Sequence, residues 1–245
     1  MLTIHLQGGL GNQLFQLGFL EYVQKKSGRP IYLSDLTSPK SIHSSQQYFE
    51  TIFQEWKKIY QHTAASYIHE HPKMISQEWG MYPGNTCYVG YFQRYEYFQE
   101  IKESFLNKLK FNTSILHKYP EIHNKTFIHL RGGDYKGNPV HGIDLTLYYQ
   151  KCMALSPLKD FVLFTNDIPY AQEKFPDIPV IQESEVDSLY LMSKCGVAIC
   201  ANSSFSWWGA YLNSERPIYM PSKWYNNDVQ GNYYFQGVEV IDINV

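Results

Sequence analysis

Hydrophobic positions along this chain follow two rhythms: short continuous apolar runs, and longer stretches with apolar residues at helical spacing. Residues 2–7 alternate as a short strand. Leu14, Phe15, Leu17, Leu20 and Tyr22 then recur at roughly helical spacing and predict a helix over 14–25. Between the two lies a Gly-rich loop, Gly8 to Gln13. Ile31–Leu33 reads as a second strand, ended by Asp35 and Pro39. From Ser41 to Pro83 the pattern is irregular and polar, with one helix expected near 47–61. Cys87–Phe92 reads as a strand, and Gln93–Phe98 leads into a helix ending around Lys110.

The second half is more regular. Thr126, Phe127, Ile128, His129 and Leu130 form an apolar run that breaks at Gly132 and Gly133. A loop over 136–143 precedes a helix from Leu145 to Met153. Phe161–Thr165 is a buried strand, stopped by Asn166 and Asp167 and followed by helix through Lys174. Pro179–Ile181 is a short strand, Asp187–Cys195 a helix and Val197–Cys200 another buried strand. Asn202–Ser206 caps a helix from Trp207 to Asn213, and Pro217–Met220 is the last strand. Strands that alternate with helices imply a parallel sheet covered on both faces. The polar stretch Asn112–Lys125 divides the chain into halves, 1–118 and 119–245. The expected architecture is α/β, two Rossmann-type halves with parallel sheets facing a central cleft.

Composition narrows the partners. A length of 245 residues suffices for one large core or two small ones, and a formal charge of -2 gives no basic field for nucleic acid. Four cysteines (Cys87, Cys152, Cys195, Cys200) fit neither zinc spacing nor a disulfide framework and read as reduced core thiols. The start, Met1 to Leu6, is too short for a signal peptide, and no apolar run is long enough to span a bilayer. The expected location is therefore cytoplasmic, without stable membrane insertion.

Three loops carry candidate chemistry, and each follows a strand: Gly8–Gln13, Arg131–Tyr135 and Asn202–Ser206. Parallel sheets place ligands at the carboxyl ends of their strands. Arg131, delivered to a sheet rim beside two glycines, suits phosphate oxygens, because its planar fork donates two hydrogen bonds and keeps its proton. Ser203, Ser204 and Ser206 at a helix start combine hydroxyls, free N–H groups and the positive end of the helix dipole, although each serine alone suits ordinary capping. The Gly8–Gln13 loop is a poor dinucleotide fingerprint, since its third glycine position is Leu14. His69-Glu70-His71 lacks a third ligand at metal spacing and reads as solvated histidines.

Four blocks together carry a resemblance. GGLGNQLFQ (8–16), GYFQ (90–93), HLR with GDY (129–131 and 133–135) and ANSSFSWWGA (201–210) stand in the order of the signature blocks of α-1,2-fucosyltransferases, glycosyltransferase family 11. The resemblance implies a GT-B-like fold, GDP-β-L-fucose as donor, a glycan acceptor such as a terminal galactose, inversion at the anomeric carbon, and no cofactor or metal. The absence of any D-x-D pair agrees with that. By resemblance Arg131 takes the β-phosphate, Ser203, Ser204 and Phe205 hold phosphate from the helix end, and Asn12 with the Gly9 and Gly11 backbone closes the site from the other half. Asp187 either accepts from the guanine edge or simply starts its helix; His129 either lines the nucleotide pocket or packs. Asp134, His141 and Asp144 are the candidates for a general base, with His141 and Asp144 also on the acceptor side; the resemblance equally allows an oxocarbenium-like transfer that needs no base. Tyr91 and Gln93 are candidates for an acceptor platform. The family's usual His-x-Arg-Arg-Gly-Asp-Tyr has Gly132 in place of its second arginine. A different GDP-sugar or acceptor, or an inactive carbohydrate-binding protein of the same fold, are the competing readings, and the oligomeric state stays open.

Overall fold

The computed structural model describes residues 1–33, 46–58, 66–70, 84–226 and 233–244. The chain divides into two compact units, Met1–Phe111 and Asn112–Val245. The polar stretch 112–125 is part of the second unit, where Thr113–His117 and Ile122–Asn124 form single 3-10 turns.

In the first unit β1 (Leu2–Ile4), β2 (Ile31–Leu33), β3 (Ser66–His69) and β4 (Thr86–Val89) form an all-parallel sheet in the order β2-β1-β4-β3. Helix α1 (Leu10–Ser27) packs on β1 and buries nearly every side chain from Leu10 to Val23. It starts four residues earlier than the apolar spacing predicts: Gly9 is its N-cap, so Gly11, Asn12 and Gln13 lie in its first turn rather than in a loop. Aromatic rings fill the space beneath it. Phe19 stacks on Phe92 with centroids 3.9 Å apart, and Phe98 meets Phe15 edge-on at 5.6 Å. The expected helix near 47–61 is one short turn, α2 (Gln46–Phe49), followed by a 3-10 turn at Trp56–Lys58. The helix expected to end at Lys110 is likewise cut to α3 (Lys102–Leu106) after a 3-10 turn at Tyr95–Phe98. Asp35, Pro39 and His71 lie outside the described residues, and His69 is exposed on β3.

The second unit has five parallel strands, β5 (Thr126–Leu130), β6 (Phe161–Thr165), β7 (Val197–Ile199), β8 (Ile218–Pro221) and β9 (Val238–Ile241), in the order β6-β5-β7-β8-β9. Its described helices are α4 (Thr146–Leu155), α5 (Ile168–Lys174), α6 (Glu185–Lys194) and α7 (Ser204–Tyr211). Residues 179–181 make one bridge, Leu163 to Val180, instead of a strand. The β5 strand is buried along its whole length, as expected of a strand covered on both faces. Arg216 ties this core together from a buried position, donating to the carbonyl oxygens of Met192 and Gly209 at 2.8 and 2.7 Å and also to that of Cys195. Burial pushes its guanidinium down to about 10.

Each sheet reverses its winding once. The chain leaves β1 for β2 on one side and later returns to β4 on the other; it leaves β5 for β6 and returns to β7. Such switch points open a crevice at the carboxyl ends of the two central strands. The loops after β1, β4, β5 and β7 are the four sequence blocks named above.

Candidate functional site

In the first unit the switch point is closed by side chains. Asn12 Oδ1 accepts from Gln93 Nε2 at 2.7 Å, and buried Gln16 joins the backbone of Gln7 to that of Gly90. Glu70, which the sequence pattern places only between two histidines, accepts from the N–H groups of Tyr91 and Phe92 at 2.8 and 2.9 Å. It thereby holds Phe92 in a left-handed conformation, φ 51°. The Tyr91 ring is exposed. The start of α1, with Gly9, Gly11 and Asn12, is thus joined to the loop that carries Tyr91 and Gln93. The helix start at Gly9 has no side-chain cap, which leaves first-turn N–H groups pointing along its dipole.

In the second unit Arg131 leaves the end of β5 with its side chain 22% exposed. Its Nη2 donates to Asp134 Oδ1 at 2.8 Å, its plane lies 5.1 Å over the Tyr135 ring, and its Nε is buried with no hydrogen-bond partner among the described residues. A buried donor without an acceptor is costly unless a ligand oxygen completes it. Asp134 is itself 62% exposed, so its hold on the guanidinium is weak and easily exchanged for a stronger anion.

The loop after Arg131 is fixed by two residues that sequence reasoning read only as a strand stop. Gly132 N–H donates to Asn166 Oδ1 and Gly133 N–H to Asp167 Oδ2, both at 3.0 Å. Asp167 also caps α5 through the N–H of Tyr170, and these backbone donors hold its carboxyl below the usual range. A β-carbon at position 132 would stand 2.6 Å from the Asp167 β-carbon. The space a second arginine would need is therefore taken, which accounts for Gly132. Gly132→Ala is expected to cost about 1–3 kcal/mol of stability by overpacking, read as a lower urea midpoint with unchanged slope.

His129, on β5, is fully buried, and its ring lies 5.6 Å from that of Phe205 at the start of α7. Burial, helped by Arg131, pushes its imidazole down to about 3 from 6.5. Between those values the unfolded chain holds a proton that the folded chain does not, so stability falls as pH drops below about 6.5 and this loss stops near 3. At pH 5 the loss amounts to roughly 2 kcal/mol relative to pH 7. Urea unfolding at the two pH values checks this, and His129→Gln should remove most of the difference.

The serine run divides its roles. Ser203 is the N-cap of α7, its Oγ accepting from Phe205 N–H at 3.3 Å, while buried Ser206 turns back to the carbonyls of Ala201 and Ser203. Ser206 is thus structural, and Ser204 and Phe205 remain half-buried at the helix tip. Asp187 sits in the first turn of α6, paired with the capping Ser184 at 2.7 Å, so its helix-start role is realised.

Beside Arg131 lies a cavity of about 320 Å³, walled among others by Tyr135, His141, Asp144, Tyr149 and Asn202. His141 stacks on Tyr135 at 4.9 Å, and buried Asn202 grips the carbonyl oxygens of His141 and Trp224, both at 3.0 Å. Lys136 and Lys174 also border this cavity, on either side of Tyr170 at 4.8 and 5.8 Å. Asp144 Oδ1 accepts from Thr146 N–H and Oγ at 2.9 and 2.6 Å, which holds its carboxyl below the ordinary range. The structure thus gathers Arg131, His141 and Asp144 around one cavity, with Asp134 bonded to Arg131 at its edge. His129 and Phe205 touch at the neighbouring strand and helix. Among the described residues no three His, Cys, Asp or Glu side chains are grouped to hold a metal ion, and no helix is long and apolar enough to cross a membrane.

Residues 1–235 match the family described as Glycosyl transferase family 11. The chain is 30% identical to the O-antigen biosynthesis glycosyltransferase WbnK of Escherichia coli, over 57% of this chain and 55% of that protein, so it spans just over half of that relative. It is 27% identical to an alpha-1,2-colitosyltransferase of Escherichia coli, over 93% of each. Among solved structures it is similar in fold to the fucosyltransferase NodZ from Bradyrhizobium, with a TM-score of 0.54 at 14% identity, covering 89% of this chain and 94% of that one. It is similar also to a variant of Arabidopsis thaliana FUT1 in complex with GDP, with a TM-score of 0.51 at 14% identity, covering 89% and 70%.

Proposed function

Because the chain belongs to glycosyl transferase family 11, we propose that it moves L-fucose from GDP-β-L-fucose to the 2-hydroxyl of a terminal galactose or similar sugar of a glycan. The transfer inverts the anomeric carbon and needs no metal. The observation that carries this reading is Arg131, whose buried Nε lacks an acceptor among the described residues at the mouth of the β5–β7 crevice. Charge that grows on departing GDP must meet preorganised donors, and a guanidinium in a water-poor site stabilises it strongly. Ser203, Ser204 and the α7 N–H groups serve the same diphosphate, with His129 and Phe205 as the wall beneath the nucleotide.

A second reading changes the donor to nucleotide-activated colitose, favoured by the relative whose name carries that sugar and which matches over 93% of both chains. Incubation with lactose and either GDP-sugar, in chelator, separates them. A fucosylated trisaccharide supports the first reading. Product from the colitosyl donor alone replaces it with the second, and GDP release from neither across several galactosides removes both.

A further inference from the structure

We propose that His141 is the general base of the transfer, taking the proton of the acceptor hydroxyl inside the cavity beside Arg131. This rests on the reading of the chain as a sugar transferase that uses Arg131 at its leaving group. Three side chains form one ladder along the cavity wall: the Arg131 guanidinium lies 5.1 Å from the Tyr135 ring, which lies 4.9 Å from the His141 ring. The ladder continues to Tyr225, 5.1 Å further. An in-line displacement needs a cation near the leaving oxygen and a base near the attacking one. With hydrogen bonds of about 3 Å at each end and reacting atoms about 3 Å apart, the two groups stand on the order of 10 Å apart. The two steps of the ladder allow a separation of up to that size, and all three residues border the same cavity.

The other candidates are placed wrongly or already engaged. Asp134 sits on Arg131 itself, at the leaving-group end. Asp144 has Oδ1 committed to Thr146, and a carboxyl held below its ordinary range is a poor proton acceptor at neutral pH. His141 has no such commitment among the described residues: its Nδ1 is buried without a hydrogen-bond partner there, and its backbone is clamped by Asn202. Burial pushes the imidazole below 6.5, so at neutral pH it is uncharged and can accept. Facing it are the Tyr135 and Tyr225 rings and the opposed charges of Arg131 and Asp134, with Lys136, Asp144 and Lys174 across the cavity. The step balances. The acceptor oxygen bonds to the anomeric carbon as its proton passes to His141 Nε2, and the bond from that carbon to the diphosphate breaks with its electron pair on the β-phosphate oxygen beside Arg131. Water later removes the proton from the imidazolium.

The experiment compares wild type and His141→Gln for kcat against pH and for GDP affinity by calorimetry, and tests whether imidazole restores His141→Ala. Expected are a kcat about 100-fold lower, loss of the acid limb that the wild type shows as pH falls below 6.5, unchanged GDP affinity, and partial rescue. Wild-type transfer with His141→Gln retaining full kcat and the same pH profile overturns this inference and leaves the transferase reading standing. A lower kcat with GDP affinity falling in step and no rescue also overturns it, making His141 structural. A wild type that transfers neither sugar removes the transferase reading and this inference with it.

Discussion

Arg131→Ala is expected to lower kcat on the order of 1000-fold, with the fold intact. Removing one preorganised donor from a developing anion costs about 100- to 1000-fold in rate, and Arg131 combines a full charge with several donors. The fold should survive because, among the described residues, the side chain bonds to Asp134 and lies over the Tyr135 ring, and an ion pair whose carboxylate is 62% exposed adds little to stability. Steady-state kinetics with circular dichroism checks both halves. Arg131→Lys should recover only part of the rate, since an ammonium cannot present the planar fork. Full activity in Arg131→Ala would remove the phosphate role and with it the central assignment.

The second large effect is on stability. Trp207 is fully buried, stacks on Tyr211 at 4.6 Å, meets Trp208 and Phe235 edge-on at 5.1 and 5.2 Å, and donates its Nε1–H to the Tyr233 carbonyl at 2.5 Å. Trp207→Ala empties a close-packed aromatic cluster and orphans that carbonyl. A loss of about 3–5 kcal/mol is expected, read from denaturant unfolding.

How much was legible follows from where each residue's role is decided. The strands β5, β6 and β7 announced themselves because strands buried on both faces read as unbroken apolar runs, β6 included although it stands at the sheet's edge with only the Leu163–Val180 bridge beyond it. The edge strands β3 and β9 did not, since Ser66, Tyr67, His69, Glu239 and Val240 face solvent and carry no apolar signature. The start of α1 was set too late because Gly11 and Asn12 look like loop residues; packing on the sheet and the Gly9 cap draw them into the helix. Arg131 was visible from its place between an apolar run and two glycines. Asn166 and Asp167 were not, because their hydrogen bonds to Gly132 and Gly133 cross 34 residues of sequence. Their short polar side chains signal a strand stop and nothing more. Ser206 misled in the opposite direction: its hydroxyl belongs to the carbonyls behind it. Tyr170 and the lysines flanking it were likewise invisible, being joined only by the folding of α5 beside the loop after β5.

The four thiols offer a use beyond packing. All are free and buried, and burial holds those of Cys152, Cys195 and Cys200 at about 12, so an alkylating reagent meets almost no thiolate while the chain is native. Cys87 belongs to the first unit and the other three to the second. Mass-resolved alkylation along a denaturant series would therefore time the opening of each unit from a single unmodified sample, without any engineered probe.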